Sequence, residues 1–516
     1  MYSNYPALIS SRKAVVDAGT ARKILLVSAE LTPLVSVGGI GEYILGLGSA
    51  LLRQGHDVRV VLPSYGFLRA RDGLTLLSDR LVVPLGVGAT EISPVHELTV
   101  ECPGADGRTL TVMLAGNHKH FETVRSASEI YTWPNHEPWI AYSRAVMELI
   151  SVLDWQPDVV HCHDAQTALL PVYVSQLRQQ QPDSMASAVR TVLTIHNLLN
   201  QGNGDPALVA YAGLPTELFN LECFEFYGRA NCLKAGLLRA DMVNTVSRTY
   251  ADEICRSDEY GFGLSGVLRG LRERERLTGV INGIDDQRWA LSGLDYSGSG
   301  ALKAVDDAKR KCQRSLFSTW KWKDTGDPVI GIRSRWDMQK GVGIIAAGLP
   351  KLLTKARVVL VAWGVPGATP ELMELWEVLN LVAKQHPDRL RLNPPELSSP
   401  SDTSLHYTLA DFFLMPSRYE PCGLVQMECQ RYGAIPIVRA TGGLADTVSE
   451  METDSFPSPN GFVFDQFEPA DMTAAAARAI KAYHNANDYS RLQSNALAQR
   501  NGWESRVPAY EKLYQS

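Results

Sequence analysis

The amino-acid sequence predicts an α/β protein made of two doubly wound domains that face each other across a cleft. Three observations lead to this fold class. The chain has 516 residues, too many for one ordinary hydrophobic core. Short runs rich in Val, Ile and Leu alternate with helical stretches, as in parallel sheets covered on both faces. This alternation occurs in two series, separated by a less hydrophobic stretch at about 286–327 that includes Ser297-Gly298-Ser299-Gly300 and reads as linker and connecting helix.

Residues 1–22 are mixed and polar and are expected to form a flexible leader. The first domain, 23–285, opens with a strand at Lys23–Ser28. The turn Gly38-Gly39-Ile40-Gly41 then starts a helix reaching about Arg53, and a strand follows at Val58–Pro63. In such a βαβ unit the glycine turn lies at the carboxyl end of the first strand, where open α/β sheets bind ligands. Strands at Asp158–His161, Thr191–His196 and Asp241–Ser247 follow, each with polar residues at its end. In the second domain, 328–500, strands are expected at Val329–Ile332, Arg357–Val361, Arg389–Leu392, Asp411–Met415, Ile435–Val438 and Gly461–Phe464.

Composition excludes several classes of function. A 45% hydrophobic and 21% charged chain is an ordinary globular protein. The formal charge of −6, with no basic block, argues against a nucleic-acid partner. No apolar run is long enough to span a bilayer or serve as a signal-peptide core. Eight scattered cysteines without a CxxC pair point to a reducing compartment, hence the cytoplasm.

The segment from Arg418 to Leu424 and its partner from Thr441 to Thr447 combine one carboxylate, Glu420, with two sets of glycine-exposed amides and a helix start. This combination suits a sugar that carries phosphate. Arg335 and Lys340, just past the Val329 strand, can grip a diphosphate and neutralise a departing leaving group; alone they would read as surface charges on a solvated loop. Glu420 can accept hydrogen bonds from sugar hydroxyls, or it can pair with Arg418 or cap the helix beginning near Gly423. Cys422 reads as a packed small residue, not a nucleophile. In the first domain His196 and Asp164 each end a strand. A metal site built from His161, His163, His196 and Asp164 is not expected, because His161 and His163 are read as pointing to opposite faces of their strand and no zinc or calcium motif surrounds them.

Together these residues resemble the bacterial glycogen synthases and plant starch synthases. The resemblance is carried by Thr194-Ile195-His196-Asn197-Leu198 with Gln201-Gly202, Cys232–Leu237 with Ala240-Asp241, Asn244–Ser247, Gly279–Asp285, Ser334-Arg335 with Gln339-Lys340-Gly341, and all of Pro416 to Val448. It implies a GT-B fold with two Rossmann-like domains. It also implies metal-independent, configuration-retaining transfer of glucose from a nucleotide sugar (ADP-glucose or another NDP-glucose), with no cofactor. By matching motifs, Arg335 and Lys340 would hold the donor diphosphate, Glu420 the sugar ring, and Cys422, Gly423 and Leu424 the sugar and phosphate through their backbone. His196 would sit by the reacting centre. Gly38, Gly39, Asn282, Thr441, Gly442 and Gly443 would complete the donor side, with Asp164 and Gln166 on the acceptor side. The last helix, within 501–516, would cross back onto the first domain.

The departures from the family pattern cluster around the substrates. Ser36 replaces a lysine before the Gly38-Gly39 pair. Ala165 and Gln166 replace a tryptophan and a histidine, and Val425 replaces a threonine. The turn after the Arg357 strand reads Ala362-Trp363-Gly364-Val365-Pro366, and a tyrosine expected to stack on the donor base is missing near Ser398-Ser399-Pro400. Two acceptors therefore remain open, an α-1,4-glucan and a small sugar or cyclitol-like molecule. A reading of another class is a retired glycan or nucleotide-sugar sensor. No oligomeric state follows from the sequence.

Overall fold

The structure, a computed structural model, describes residues 21–515 apart from 87, 105–106, 117–118, 297–299, 365–368, 400–401 and 451–457. The leader up to Thr20, Ser297–Ser299, Val365, Pro366 and Pro400 therefore lie outside the described residues.

The strand Lys23–Val27 buries every residue but its first, and pairs in parallel with Asp57–Pro63 on one side and Val159–His163 on the other. A strand buried on both faces needs apolar residues at every position, which is why its sequence is a continuous run. It is one of nine strands in its sheet, in the order Leu277–Gly279, Met242–Thr245, Arg190–Ile195, Val159–His163, Lys23–Val27, Asp57–Pro63, Thr109–Ala115, Thr90–Glu101 and Thr75–Pro84. The last two run antiparallel and extend one edge of the sheet. The sequence reading lacks these three strands between Thr75 and Ala115. The outermost two are exposed along much of their length, so they show half-buried alternation in place of an apolar run.

The second sheet is fully parallel, with the order Leu390–Leu392, Arg357–Trp363, Val329–Arg335, Phe412–Met415, Ile435–Arg439, Phe462–Phe464. The helix Ala301–Trp320, inside the stretch read as linker, packs Cys312, Leu316, Phe317 and Trp320 against Val329, Val359 and Val361 of this domain. Among the described residues no helix is long and apolar enough to cross a membrane.

Each sheet changes winding direction once, and a crevice forms at the carboxyl ends of the strands flanking that point. In the first domain the flanking strands are Lys23–Val27 and Val159–His163; in the second they are Val329–Arg335 and Phe412–Met415. Arg335 ends one of these four strands, and the segments bearing Gly38, Asp164, Lys340 and Glu420 follow them.

The chain end closes the architecture. Ile284 donates its amide to Asn501 O at 2.8 Å, and Trp503 then packs against Gly46 and Gly283. A Cβ on Gly46 would collide with the Trp503 indole. The helix Val507–Gln515 buries Tyr510 and Tyr514 in the first-domain core, where the Tyr43 hydroxyl donates to that of Tyr510 at 3.0 Å. Trp503→Ala should therefore destabilise the protein by about 3–5 kcal/mol, read as a lower urea midpoint; an unchanged midpoint would show that this crossing carries no stability.

Candidate active site in the interdomain cleft

The second-domain half of the site is organised by one short turn. Asp337 accepts the Gln339 amide at 2.8 Å and caps the turn Met338–Lys340. Gly341 follows at φ 74°, where a Cβ would collide with the Pro416 carbonyl oxygen. This close approach lays Lys340 over the loop after Phe412–Met415. Its Nζ donates to both carboxylate oxygens of Glu420, at 2.9 and 2.7 Å, and Ser417 Oγ adds a bond of 2.8 Å. Glu420 is only 5% exposed, so these partners replace the water it has lost. The alternatives of an Arg418 partner and a helix cap at Gly423 are not realised: Arg418 reaches Glu259 of the first domain. Arg335 stands with its side chain half exposed, held only loosely by Gln339 and Asp337 at 3.5 and 3.6 Å. Beside it in strand register is Trp363, 48% exposed.

The glycines of Thr441-Gly442-Gly443 serve backbone packing. Gly442 lies at φ 45°, and a Cβ there would meet the Glu420 carbonyl; a Cβ on Gly443 would meet that of Cys422. The Gly443 amide donates to Glu420 O at 3.0 Å. The Gly442 amide and the Thr441 hydroxyl both donate to Glu253 of the first domain, at 3.1 and 2.9 Å. These donors, expected on a donor phosphate, are thus engaged by protein in this arrangement. Asp446 returns the favour across the cleft, accepting from the Arg248 amide at 2.6 Å and the Thr249 hydroxyl at 2.6 Å. Each domain so supplies a carboxylate to the start of a helix in the other. Cys422 is buried, which pushes its thiol up to about 12, unsuited to nucleophilic attack. Leu424 lies 3.9 Å from where a Gly39 Cβ would stand, bringing the two glycine loops face to face.

In the first domain, buried Glu30 accepts the amides of Val37 and Gly38 at 2.7 and 2.9 Å and the Tyr131 hydroxyl at 2.6 Å. The loop is thereby fixed from below, while Ser36, Gly38 and Gly39 stay exposed. Asp164 adopts a left-handed conformation at φ 53°, tolerable for aspartate. Its Oδ1 accepts the His196 amide at 2.6 Å and the Asn197 amide at 3.4 Å. Gln166 and Ala165 are buried beneath the cleft floor.

The reading of His161 and His163 on opposite faces is corrected. Residues two apart on a strand share a face, and these rings lie 4.4 Å apart between centroids. His163 Nδ1 meets His196 Nε2 at 3.1 Å, and burial lowers the His196 imidazole to about 3 and that of His163 well below its usual value. Even so, no group of three or more His, Cys, Asp or Glu able to hold a metal occurs among the described residues.

Asn282, 6% exposed, has a side-chain oxygen without a hydrogen-bond partner. It lines a cavity of about 280 Å3 at the hinge together with Tyr43, Trp289, Leu424 and Trp503. Glu428 also lines this cavity and was missed in the sequence. It is buried, accepts the Tyr407 hydroxyl at 2.6 Å, and is pushed up to about 7 by burial. Its only signal was being the one acid of the helix Val425–Gln430, eight positions after Glu420. Glu30, Glu253 and Asp446 were likewise not singled out, because ordinary charged residues carry no mark of partners distant in sequence.

Burial raises Asp164 to about 7, with Glu30 adding repulsion. A carboxyl whose folded pKa exceeds its unfolded value contributes stability at low pH and loses it as pH rises through the folded value. Asp164→Asn keeps the left-handed turn and should remove this loss between pH 4 and 7. At pH 8 it should be more stable than the parent by on the order of 3 kcal/mol; urea midpoints with the same pH slope in both proteins would refute the assignment.

Comparison with known proteins agrees with this geometry. The family model described as starch synthase catalytic domain matches residues 23–270, and that of the glycosyl transferases group 1 matches 323–499. The chain is 35% identical over 501 residues to a glycogen synthase of Geotalea daltonii, covering 95% of this chain and 98% of that one. It is 34% identical over 500 residues to that of Fervidobacterium nodosum, covering 96% and 98%. Among solved structures, the catalytic domain of Arabidopsis thaliana starch synthase IV, bound to ADP and acarbose, superposes with a TM-score of 0.82 at 27% identity, covering 96% of this chain and 99% of that one. A sucrose-phosphate synthase from Thermosynechococcus elongatus, 17% identical with a TM-score of 0.54 and covering 96% and 98%, shares the fold. With its parallel sheets, its cleft and its full-length similarity, the chain is a GT-B glycosyltransferase and belongs to the glycogen and starch synthase family.

Proposed function

We propose that this enzyme transfers a glucosyl unit from a nucleotide diphosphate glucose, with ADP-glucose the first candidate, to the end of an α-1,4-glucan with retention of configuration. The reading is carried by the Lys340–Glu420 pair, set beside the exposed Arg335 at the second domain's switch point. A lysine shared with a carboxylate can turn toward a diphosphate while the freed carboxylate accepts sugar hydroxyls. Arg335 and Lys340 then neutralise charge on the departing nucleotide, the task a metal performs in other transferases, so the reaction needs neither a metal nor a cofactor. Trp363, flat and exposed next to Arg335, offers a stacking face for the base. The Gly423 and Leu424 backbone and the Gly38-Gly39 loop bracket the phosphates, with Asn282 behind them and His196 and Asp164 below the sugar. Thr441, Gly442 and Gly443 act indirectly by bracing Glu420. The acceptor attacks from the leaving group's side with a β-phosphate oxygen as base. Glycogen synthase relatives and the ADP-bound neighbour support this choice of donor and acceptor. Eight free, buried cysteines fit a reducing cytoplasm.

A small sugar or cyclitol acceptor is the second reading, and the observation favouring it is Ser36. This residue is exposed where the family carries a lysine, so the donor is gripped by fewer charges. The changed acceptor-side positions Ala165 and Gln166 weigh less, since both are buried.

Nucleotide release from ADP-glucose, measured with and without glucan, tests the proposal. Lys340→Ala and Glu420→Ala should each lower kcat/KM by about 10²–10³ with the fold intact. Parental turnover in either variant would remove the role given to that residue, and glucan-independent inertness with release to small sugars would favour the second reading. Ser36→Lys should lower the donor KM by about 10–100-fold, as a restored charge-assisted contact; a donor KM that does not move would mean another cation already fills the place.

A further inference from the structure

We propose that His163 is a positioning residue that fixes the tautomer of His196, making His196 a hydrogen-bond donor toward the cleft through Nδ1–H and not a base there. This rests on the sugar-transfer reading of the cleft and adds to it the direction of one hydrogen bond.

His163 Nδ1 and His196 Nε2 are 3.1 Å apart. Both rings are neutral, because burial disfavours the charged form of each. A neutral imidazole has one N–H and one lone pair, so a single proton lies between the two rings and only two arrangements exist. If His196 Nε2 carries it, the proton of His163 must sit on its own Nε2. That atom is sealed from solvent and has no hydrogen-bond partner, so this arrangement buries an orphaned N–H. If His163 Nδ1 carries the proton, the sealed atom is only an unfilled acceptor, and the proton of His196 moves to Nδ1. Orphaned buried N–H groups are rarer than under-satisfied acceptors, so the second arrangement is the one adopted.

The surroundings agree. Among the described residues His196 Nδ1 has no protein partner, and it is not among the sealed atoms, so it is open to solvent. His161 does not compete for the pair, since its own nitrogens are taken by Thr194 Oγ1 at 2.7 Å and the Tyr514 hydroxyl at 2.9 Å. Thr167 Oγ1 ties the peptide of His163, accepting its amide at 2.6 Å and donating to its carbonyl at 2.9 Å. The Tyr43 ring packs edge-on against both imidazoles, 5.3 Å from His163 and 4.6 Å from His196. With both rings held, the tautomer of one dictates that of the other. A donor at Nδ1 can hold a sugar hydroxyl oxygen but cannot take a proton from the acceptor, which leaves the base to the leaving phosphate.

The test is long-range proton–nitrogen correlation NMR on the full-length protein labelled with 15N-histidine, with His196 assigned through its loss in His196→Gln. In the parent, His196 should show a protonated Nδ1 and a bare Nε2; a bare Nδ1 would overturn the proposal, and this measurement needs no variant of His163. In His163→Leu the His196 pattern should become mixed or reversed, with kcat reduced about 10-fold or more and donor KM moved less. In His163→Asn, whose amide nitrogen can take the place of Nδ1, both the pattern and kcat should return toward the parent. An unchanged His196 pattern in His163→Leu would refute the positioning role. A parent with the expected tautomer but no transfer from any nucleotide sugar would instead refute the functional reading and leave the tautomer assignment standing.

Discussion

A carboxylate withdrawn from water must be repaid with partners, and in this protein that demand at Glu420 sets the form of the whole second-domain half of the cleft. Its three supports come from three places in the chain: the Lys340 ammonium, the Ser417 hydroxyl, and the Gly443 amide on its carbonyl. Each support brings its own local condition. Lys340 arrives only because Asp337 caps its turn and Gly341 lies flat against the Pro416 carbonyl. The Gly443 amide arrives only because neither glycine carries a side chain that would strike the Glu420–Cys422 backbone. The two motifs that occur together in the sequence are thus two sides of one backbone contact.

The two halves of the cleft differ in electrostatic character. The second domain presents charge, in Arg335 and the Lys340–Glu420 pair. The first presents neutral groups: imidazoles kept uncharged by burial, and a carboxyl, Asp164, whose ionisation is postponed to about 7. A diphosphate seeks the first kind of surface and a sugar with hydroxyls the second. The halves meet through Glu253 and Asp446, each capping a helix of the opposite domain, and through the ring contact of Phe262 with Tyr419. Because Tyr419 immediately precedes Glu420, this ring contact also helps to set where the Glu420 loop stands against the first domain.

Much of the fold was legible because buried parallel strands leave an unbroken apolar record, as in Lys23–Val27 and Arg357–Trp363. The antiparallel extension from Thr75 to Glu101 was not, since a half-wet strand mixes its apolar residues with polar ones. Within the site, Arg335, Lys340 and Glu420 were legible as a group because each ends or follows a strand at the switch point and because the motifs are specific. The reading failed where placement depended on what came to meet a residue: His161 and His163 share a face with their rings in contact.

By itself, the sequence determined the two-domain α/β architecture, the segments that bear the candidate site residues, and the family, because each is written in local pattern: apolar runs, glycine turns and contiguous motifs. Only the tertiary structure decided which backbone donors are taken by protein and which imidazoles meet. Those properties follow from burial and from partners up to hundreds of residues away, such as Tyr514 on His161 and Glu253 on Gly442. No local pattern encodes the distance between two segments that fold together.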